Sequence, residues 1–79
     1  MTDLEKARNE LLRSWRSAQA ASDGQQAIVE SMRAEIRIHE QCSNATLESF
    51  VCATESYHES MRDVVHAISA LAKLIARET

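Results

Sequence analysis

The chain has 79 residues and a formal net charge of −3, from 9 basic and 12 acidic residues. A chain this short forms one small domain, and its core is only marginally stable without disulfides, metal or oligomerisation. Charges of both signs are mixed along the chain and form no basic arm, which argues against nucleic acid as a direct ligand. We therefore interpret residues 1–79 as a single domain that interacts with proteins.

The sequence also gives an expectation about the compartment. No apolar run approaches the roughly 18–20 residues that a membrane-spanning helix needs. Residues 1–5 do not have the basic start and apolar stretch of a secretory signal. We expect a cytoplasmic protein, in which Cys42 and Cys52 are thiols rather than a disulfide.

The chain contains no proline and a single glycine, so little interrupts helix formation. Thr2 and Glu5 have the spacing of a capping box, which predicts a helix start. From there we predict a first helix over residues 3–42. Its core-facing stripe consists of Leu4, Leu11, Trp15, Ala18, Val29, Met32 and Ile36.

Residues 22–26 are the weakest part of this helix, because Gly24 could end one helix and Asp23 could cap another. However, the apolar spacing continues through this segment without a change of phase. We favour one long helix, with a kink or break near Gly24 as the alternative.

A turn is predicted at residues 42–46, where Ser, Asn and Thr side chains compete with backbone hydrogen bonds and can cap a new helix. Residues 47–78 then form a second helix, and the short connection makes the pair an antiparallel hairpin. The stripe of this second helix consists of Leu47, Phe50, Tyr57, Met61, Val64, Ile68, Leu71 and Ile75.

The second helix is apolar over a wider arc than one partner helix can cover. Val51, Val65 and Ala72 extend the stripe on one side, and Ala53, Ala67 and Leu74 extend it on the other. A second copy is the simplest cover, so the predicted fold is all-α: an antiparallel two-helix hairpin that dimerises into a four-helix bundle. The predicted dimer interface consists of Tyr57, Met61, Val64, Val65, Ile68, Leu71 and Ile75.

Four side chains suggest a metal site: His39, Cys42, Cys52 and His58. A turn at residues 42–46 places Cys52 opposite about residue 37 and His58 opposite about residue 31, too far apart for one tetrahedron. Two regular helices also offer no spare backbone N–H groups for an oxyanion hole. We therefore expect no metal, no cofactor, no small-molecule ligand and no enzymatic activity.

Trp15 is the single tryptophan of the chain. Its place on the first stripe favours a core residue. Its arginine neighbours favour a partly exposed anchor instead, since Trp and Arg dominate interaction hot spots. On the second interpretation, the predicted partner-binding residues are Leu12, Arg13, Trp15 and Arg16.

Two segments carry a family resemblance. Residues 2–5, followed by Leu12-Arg13-Ser14 and Arg16, resemble the opening helix of TraM-type quorum-sensing anti-activators. The second segment is similar to that family's second helix through Phe50-Val51, Ala53-Thr54, His58 and Met61. The resemblance implies a dimeric antiparallel hairpin that binds a LuxR-type transcriptional activator and stops it from activating promoters.

Two other classes of function remain open. Small chaperones of the type III secretion kind are also helical hairpins, and such a protein should fold poorly without its client. A structural subunit that polymerises should expose a patch that binds a different surface of the next copy. An anti-activator should instead be a stable dimer by itself.

Overall fold

The computed structural model describes residues 2–78 as two long helices, α1 (Asp3–His39) and α2 (Asn44–Glu78), joined by a turn at residues 40–43. The helices pack antiparallel: Leu11 lies near Val64 at one end, and Glu35 lies near Thr46 at the other. The molecule is a rod of 58 × 16 × 14 Å. The prediction of an all-α antiparallel hairpin is confirmed.

Helix α1 begins as the capping box predicts. The Thr2 hydroxyl oxygen accepts a hydrogen bond of 3.1 Å from the backbone N–H of Glu5. Asp3 and Glu5 place negative charge at the positive end of the helix dipole. The helix then continues through Gly24, so the prediction of one long helix is confirmed and no break occurs at residues 22–26.

The end of α1 differs from the prediction, because the helix stops at His39 rather than at residue 42. Glu40 adopts the left-handed conformation, with φ of 60°, and its N–H donates a 2.9 Å bond to the Ile36 carbonyl. This conformation costs a non-glycine residue about 1 kcal/mol, so helices usually place glycine here. Without that glycine, the sequence contains no clear stop signal.

Helix α2 begins at Asn44, three residues before the predicted start. The Ser43 side chain acts as its cap, since the Ser43 hydroxyl accepts a 3.2 Å bond from the Thr46 N–H. The Ser43 carbonyl accepts a 3.1 Å bond from the Leu47 N–H. The turn therefore lies at residues 40–43 instead of 42–46.

The contact between the helices is a seam of small and medium side chains. Its four buried residues are Ser14, Ala18, Val64 and Ala67. Half-buried residues extend the seam with alternating spacings of three and four residues, as in a coiled coil. In α1 they are Leu4, Ala7, Leu11, Ala21, Gln25, Ile28, Met32 and Glu35; in α2 they are Thr46, Phe50, Ala53, Tyr57, Ser60, Leu71 and Leu74.

Each predicted stripe is half right. One residue per heptad lies on the seam as predicted, but the other lies beside it, on the flank. The displaced residues are Trp15, Val29 and Ile36 in α1 and Leu47, Met61, Ile68 and Ile75 in α2. The seam positions next to them hold Ser14, Ile28 and Glu35 in α1 and Thr46, Ser60, Ala67 and Leu74 in α2. At Ser14, Ser60 and Ala67 the small side chain lets the two helices approach closely.

The register between the helices also differs from the prediction. The Gln25 side-chain amide donates a 3.0 Å bond to the Thr54 hydroxyl. This pairing places Cys52 opposite about residue 27 and His58 opposite about residue 21, whereas residues 37 and 31 were predicted. The turn is nearer the N-terminus than predicted, which accounts for about half of this ten-residue change.

Neither α1 nor α2, which together make up the helical part of residues 2–78, has a segment apolar enough to cross a membrane.

Candidate functional site

Large hydrophobic side chains that the hairpin leaves exposed lie almost entirely on one side of it. Nine such residues occur in the described chain, with exposed fractions from 44% for Leu47 to 71% for Ile38. Ile38 lies on the opposite side. The other eight form what we call the apolar face: Leu12, Trp15, Ile36, Leu47, Val51, Val65, Ile68 and Ile75.

Heptad spacing explains why these residues share a side. Trp15 and Ile68 line the same groove, although they belong to different helices. Ile36 follows Trp15 by three heptads, and Leu47 precedes Ile68 by three heptads, so each pair keeps its position relative to the seam. Positions three or four residues away on a helix, such as Leu12 beside Trp15, extend the same surface.

The apolar face contains an open groove of about 490 Å³. It lies near the chain termini and is lined by Arg8, Asn9, Leu11, Leu12, Trp15, Val64 and Ile68. Trp15 also borders a smaller depression of about 150 Å³, together with Tyr57 and Met61. The indole therefore stands between two hollows with 52% of its surface exposed, and of the two interpretations of Trp15 the structure supports the exposed one.

The opposite side of the hairpin, which we call the polar face, has a different character. Its recess near the termini is lined by Glu10, Ser14, Asp63, His66, Ala67 and Ala70. A second recess near the turn is lined by Ile28, Ser31, Ala45, Thr46 and Ser49. Small and charged side chains thus take the positions that large hydrophobic residues occupy on the apolar face.

The four residues predicted to bind a partner do not form one cluster. Leu12 and Trp15 line the groove, whereas Arg13 and Arg16 do not. Arg13 lies on the outer side of α1, where it forms a 3.3 Å ion pair with Glu10. The structure instead brings Leu12 and Trp15 together with Ile68 of the predicted dimer interface.

The predicted dimer interface divides into two groups. Val65, Ile68 and Ile75 are exposed on the apolar face, and Met61 is half-buried at its edge. The remaining three lie on the seam: Tyr57, Val64 and Leu71, of which Val64 is only 3% exposed. These three side chains hold the hairpin itself together.

Several residues of this site were not predicted from the sequence. Arg8 and Leu11 line the groove, and Ile36, Leu47 and Val51 extend the face towards the turn. The predicted stripes contained most of these hydrophobic residues but assigned them to the core. A heptad assignment with Ser14 and Ala67 on the seam would have identified these hydrophobic residues as surface residues.

The charges beside the apolar face change sign along the rod. Towards the termini the flanking charges are three arginines and one carboxylate: Arg8, Arg16, Arg62 and Glu5. Towards the turn they are four carboxylates and two arginines: Asp23, Glu30, Glu48, Glu55, Arg33 and Arg37. One end of the face is therefore positive and the other negative.

A polar cluster closes the turn end of the hairpin. The Glu35 carboxylate accepts bonds from the Thr46 hydroxyl at 2.9 Å and from the Ser43 hydroxyl and N–H at 3.2 and 3.3 Å. These bonds, that of Thr46 foremost, hold the pKa of Glu35 below its ordinary value, aided by the nearby charge of His39. Glu35 therefore joins α1 to the cap of α2.

The candidate metal ligands of the sequence are dispersed. Within residues 2–78, no three His, Cys, Asp or Glu side chains lie close enough to hold one ion. Both cysteines are free thiols: Cys52 is exposed, and half-buried Cys42 contacts the Met32 carbonyl at 3.8 Å.

No protein-family model, curated protein or solved structure matches the chain. Function is therefore inferred from the apolar face and from the resemblance in the sequence.

Proposed function

We propose that this protein is a non-enzymatic inhibitor that binds a LuxR-type quorum-sensing activator and prevents the activator from binding DNA. The observation that carries the protein-binding part is the apolar face, with eight large hydrophobic residues exposed on one side of the hairpin. Exposed hydrophobic residues clustered on one side of a protein are costly in water and mark a protein-binding surface. The recesses of the polar face contain no comparable hydrophobic cluster.

The class of partner follows from the resemblance to TraM-type anti-activators. The chain's charge of −3 supports inhibition through the activator rather than through DNA, because DNA repels an acidic protein. Binding could cover the activator's DNA-reading surface or separate its two subunits. Either event weakens DNA binding, since two-fold symmetric activators need both half-sites.

The groove beside Trp15 is the proposed contact site. A tryptophan with half its surface exposed, next to a hollow lined by Leu12 and Ile68, has the residue types and shape of an interaction hot spot. Arg8 lines the groove and exposed Arg16 lies one position from Trp15, so both can meet carboxylates of the partner.

The proposal includes self-association into a homodimer. The hairpin buries only four of its described residues, and none of its large side chains is fully buried. A two-helix core of this size gains substantially when its exposed apolar surface is covered.

The test is the double variant Trp15→Ala/Arg16→Ala. Loss of a central aromatic anchor should weaken activator binding by about 2 kcal/mol or more, roughly a 30-fold increase in Kd, while the helical content stays unchanged. The matched control is Ile38→Ala/Arg37→Ala. It removes a hydrophobic residue that is more exposed than Trp15, 71% against 52%, but lies on the polar face, together with an arginine near the turn, far from the groove. This control should leave the Kd unchanged.

Binding can be measured by titrating the protein into a preformed activator–DNA complex. If the double variant disrupts that complex at wild-type concentrations, the groove is not the contact site. If the wild-type protein affects no LuxR-type activator of its host, the partner class is wrong, whatever the role of Trp15.

A further inference from the structure

We infer that the apolar face binds a second copy of this chain in an antiparallel arrangement. The end of each copy that carries the termini then lies on the turn end of the other. This inference deepens the proposed function, from which it takes only self-association. It specifies the face and the orientation, and neither depends on the identity of the activator.

The area of the face suits a stable dimer. A surface 58 Å long and 16 Å wide offers on the order of 900 Å², and a standard protein interface buries about 800 Å² per partner. The face also spans the rod, from Ile75 near the termini to Ile36 and Leu47 near the turn. A second rod of the same length covers all of it.

The positive end of the face lacks opposite charges of its own. Arg8, Arg16 and Arg62 are exposed, and none of them forms an ion pair within residues 2–78. Glu5 is the single carboxylate that flanks the face at this end. The molecule that binds the positive end of the apolar face should therefore supply carboxylates.

The negative end of the same face supplies them. Glu30 forms a 3.3 Å ion pair with Arg33, but Asp23, Glu48 and Glu55 form no ion pair within the described chain. When the second copy is antiparallel to the first, the negative end of each copy lies on the positive end of the other. By two-fold symmetry this contact occurs twice in the dimer.

Symmetry then distinguishes the two possible orientations. In an antiparallel pair, α1 faces α1 and α2 faces α2, so Arg62 of one copy lies between the levels of Glu48 and Glu55 of the other. Arg16 likewise lies between the levels of Asp23 and Glu30. In a parallel pair, α1 of one copy faces α2 of the other. Arg16 of one copy then lies beside Arg62 of the other, and like charges face each other along both sides of the interface. Charge therefore favours the antiparallel pair.

The hydrophobic residues also match in this orientation. Measured along the rod, Ile68 lies about as far from the terminal end as Leu47 lies from the turn end, so the two face each other across the dimer. Val51 and Val65 pair in the same way. The second copy also lies over the groove beside Trp15, so a partner that binds there must displace it.

The decisive measurement is the dimer Kd of Arg62→Glu by sedimentation equilibrium. In the antiparallel pair this change replaces two attractions by two repulsions, and the Kd should rise about fivefold or more at low salt. The double variant Arg62→Glu/Glu55→Arg should recover most of the loss. Lys73→Glu is the matched control on the outer side of α2, and it should leave the Kd unchanged.

Cross-linking tests the orientation independently. His58 is exposed beside the apolar face and lies near the middle of the rod, as does Gln19 on α1. In a Cys42→Ser/Cys52→Ser background, His58→Cys should link to itself through a short bifunctional thiol reagent. A parallel pair would instead link His58→Cys only to Gln19→Cys in a mixture of the two variants.

The outcomes separate this inference from the function proposed above. A tighter dimer for Arg62→Glu, or links only between His58→Cys and Gln19→Cys, would overturn the antiparallel orientation. A folded monomer at tens of micromolar would overturn self-association altogether. A folded monomer would also overturn the self-association part of the proposed function, but not activator binding. Because Trp15 and Arg16 lie beneath the second copy, the dimer Kd of Trp15→Ala/Arg16→Ala is measured as well, and activator binding at the Trp15 groove is judged from the affinity of the monomeric protein.

Discussion

The two faces of the hairpin share one seam, yet they differ sharply in what they expose. On the apolar face the positions beside the seam hold Trp15, Ile36, Leu47 and Ile68. On the polar face the corresponding positions hold Ser17, Gly24, Ser31 and Ser56, among others. The hairpin thus buries small side chains most completely, packs Phe50 and Tyr57 half-buried on the seam, and leaves Trp15 and most of its isoleucines exposed. This division indicates that folding and association depend on different residues.

The sharpest test of that division compares Val64→Asp with Ile68→Asp, one helical turn apart. Val64 is 3% exposed on the seam, whereas Ile68 is 50% exposed on the apolar face. Burying an unpaired carboxylate costs several kcal/mol, comparable with the roughly 5 kcal/mol stability of a small domain. Val64→Asp should therefore unfold, and Ile68→Asp should yield a helical monomer.

Circular dichroism and sedimentation on the same samples check both expectations. Ile68→Ala is the control for lost volume without charge, and it should weaken association less than Ile68→Asp. Equal loss of helix in both aspartate variants would contradict the comparison, because it would show that the hairpin folds only as an assembly.

A smaller effect is expected on the polar face, from Gly24→Ala. Gly24 is exposed within α1, its φ is not positive, and a β-carbon there would have no neighbour within 4 Å. Alanine should therefore stabilise the helix by about 0.5–1 kcal/mol and raise the Tm by several degrees. The dimer Kd should not change.

The measurement compares the Tm of Gly24→Ala with the Tm of Ser17→Ala. Both lie on the polar face, but serine has less helix propensity to regain, so its gain should be smaller. A lower Tm for Gly24→Ala would mean that this part of the polar face is covered by something that a methyl group disturbs.

The smallest effect concerns the turn, which both faces share. Hydrogen bonds from Thr46 and Ser43 lower the pKa of Glu35. A lowered carboxyl pKa contributes stability above its ordinary pKa, and that stability is lost as the pH falls through the lowered value. The Tm of the wild type should therefore exceed that of Glu35→Gln at pH 6, and the difference should shrink towards pH 3.

Glu30→Gln is the control, since its partner Arg33 lies one turn away on the same helix and does not connect α1 to α2. A difference between wild type and Glu35→Gln that persists unchanged at pH 3 would show that the charge of Glu35 does not stabilise the turn.

The two helices and the region of the turn follow from local sequence patterns. These depend on local causes: the absence of proline, the cap formed by Thr2 and Glu5, and the polar residues near Ser43. Such interactions connect residues three or four positions apart, so a linear pattern contains them.

The side of each helix that forms the seam depends instead on packing between the two helices. Hydrophobicity alone favours Trp15 and Ile68 over Ser14 and Ala67, but the second helix can come close only where side chains are small. The end of α1 at His39 was decided in the same way, since Glu35 bonds Ser43 and Thr46 across the turn that follows left-handed Glu40. Where burial and close approach conflict, packing between the helices decides, and side chains such as Trp15 and Ile68 remain exposed.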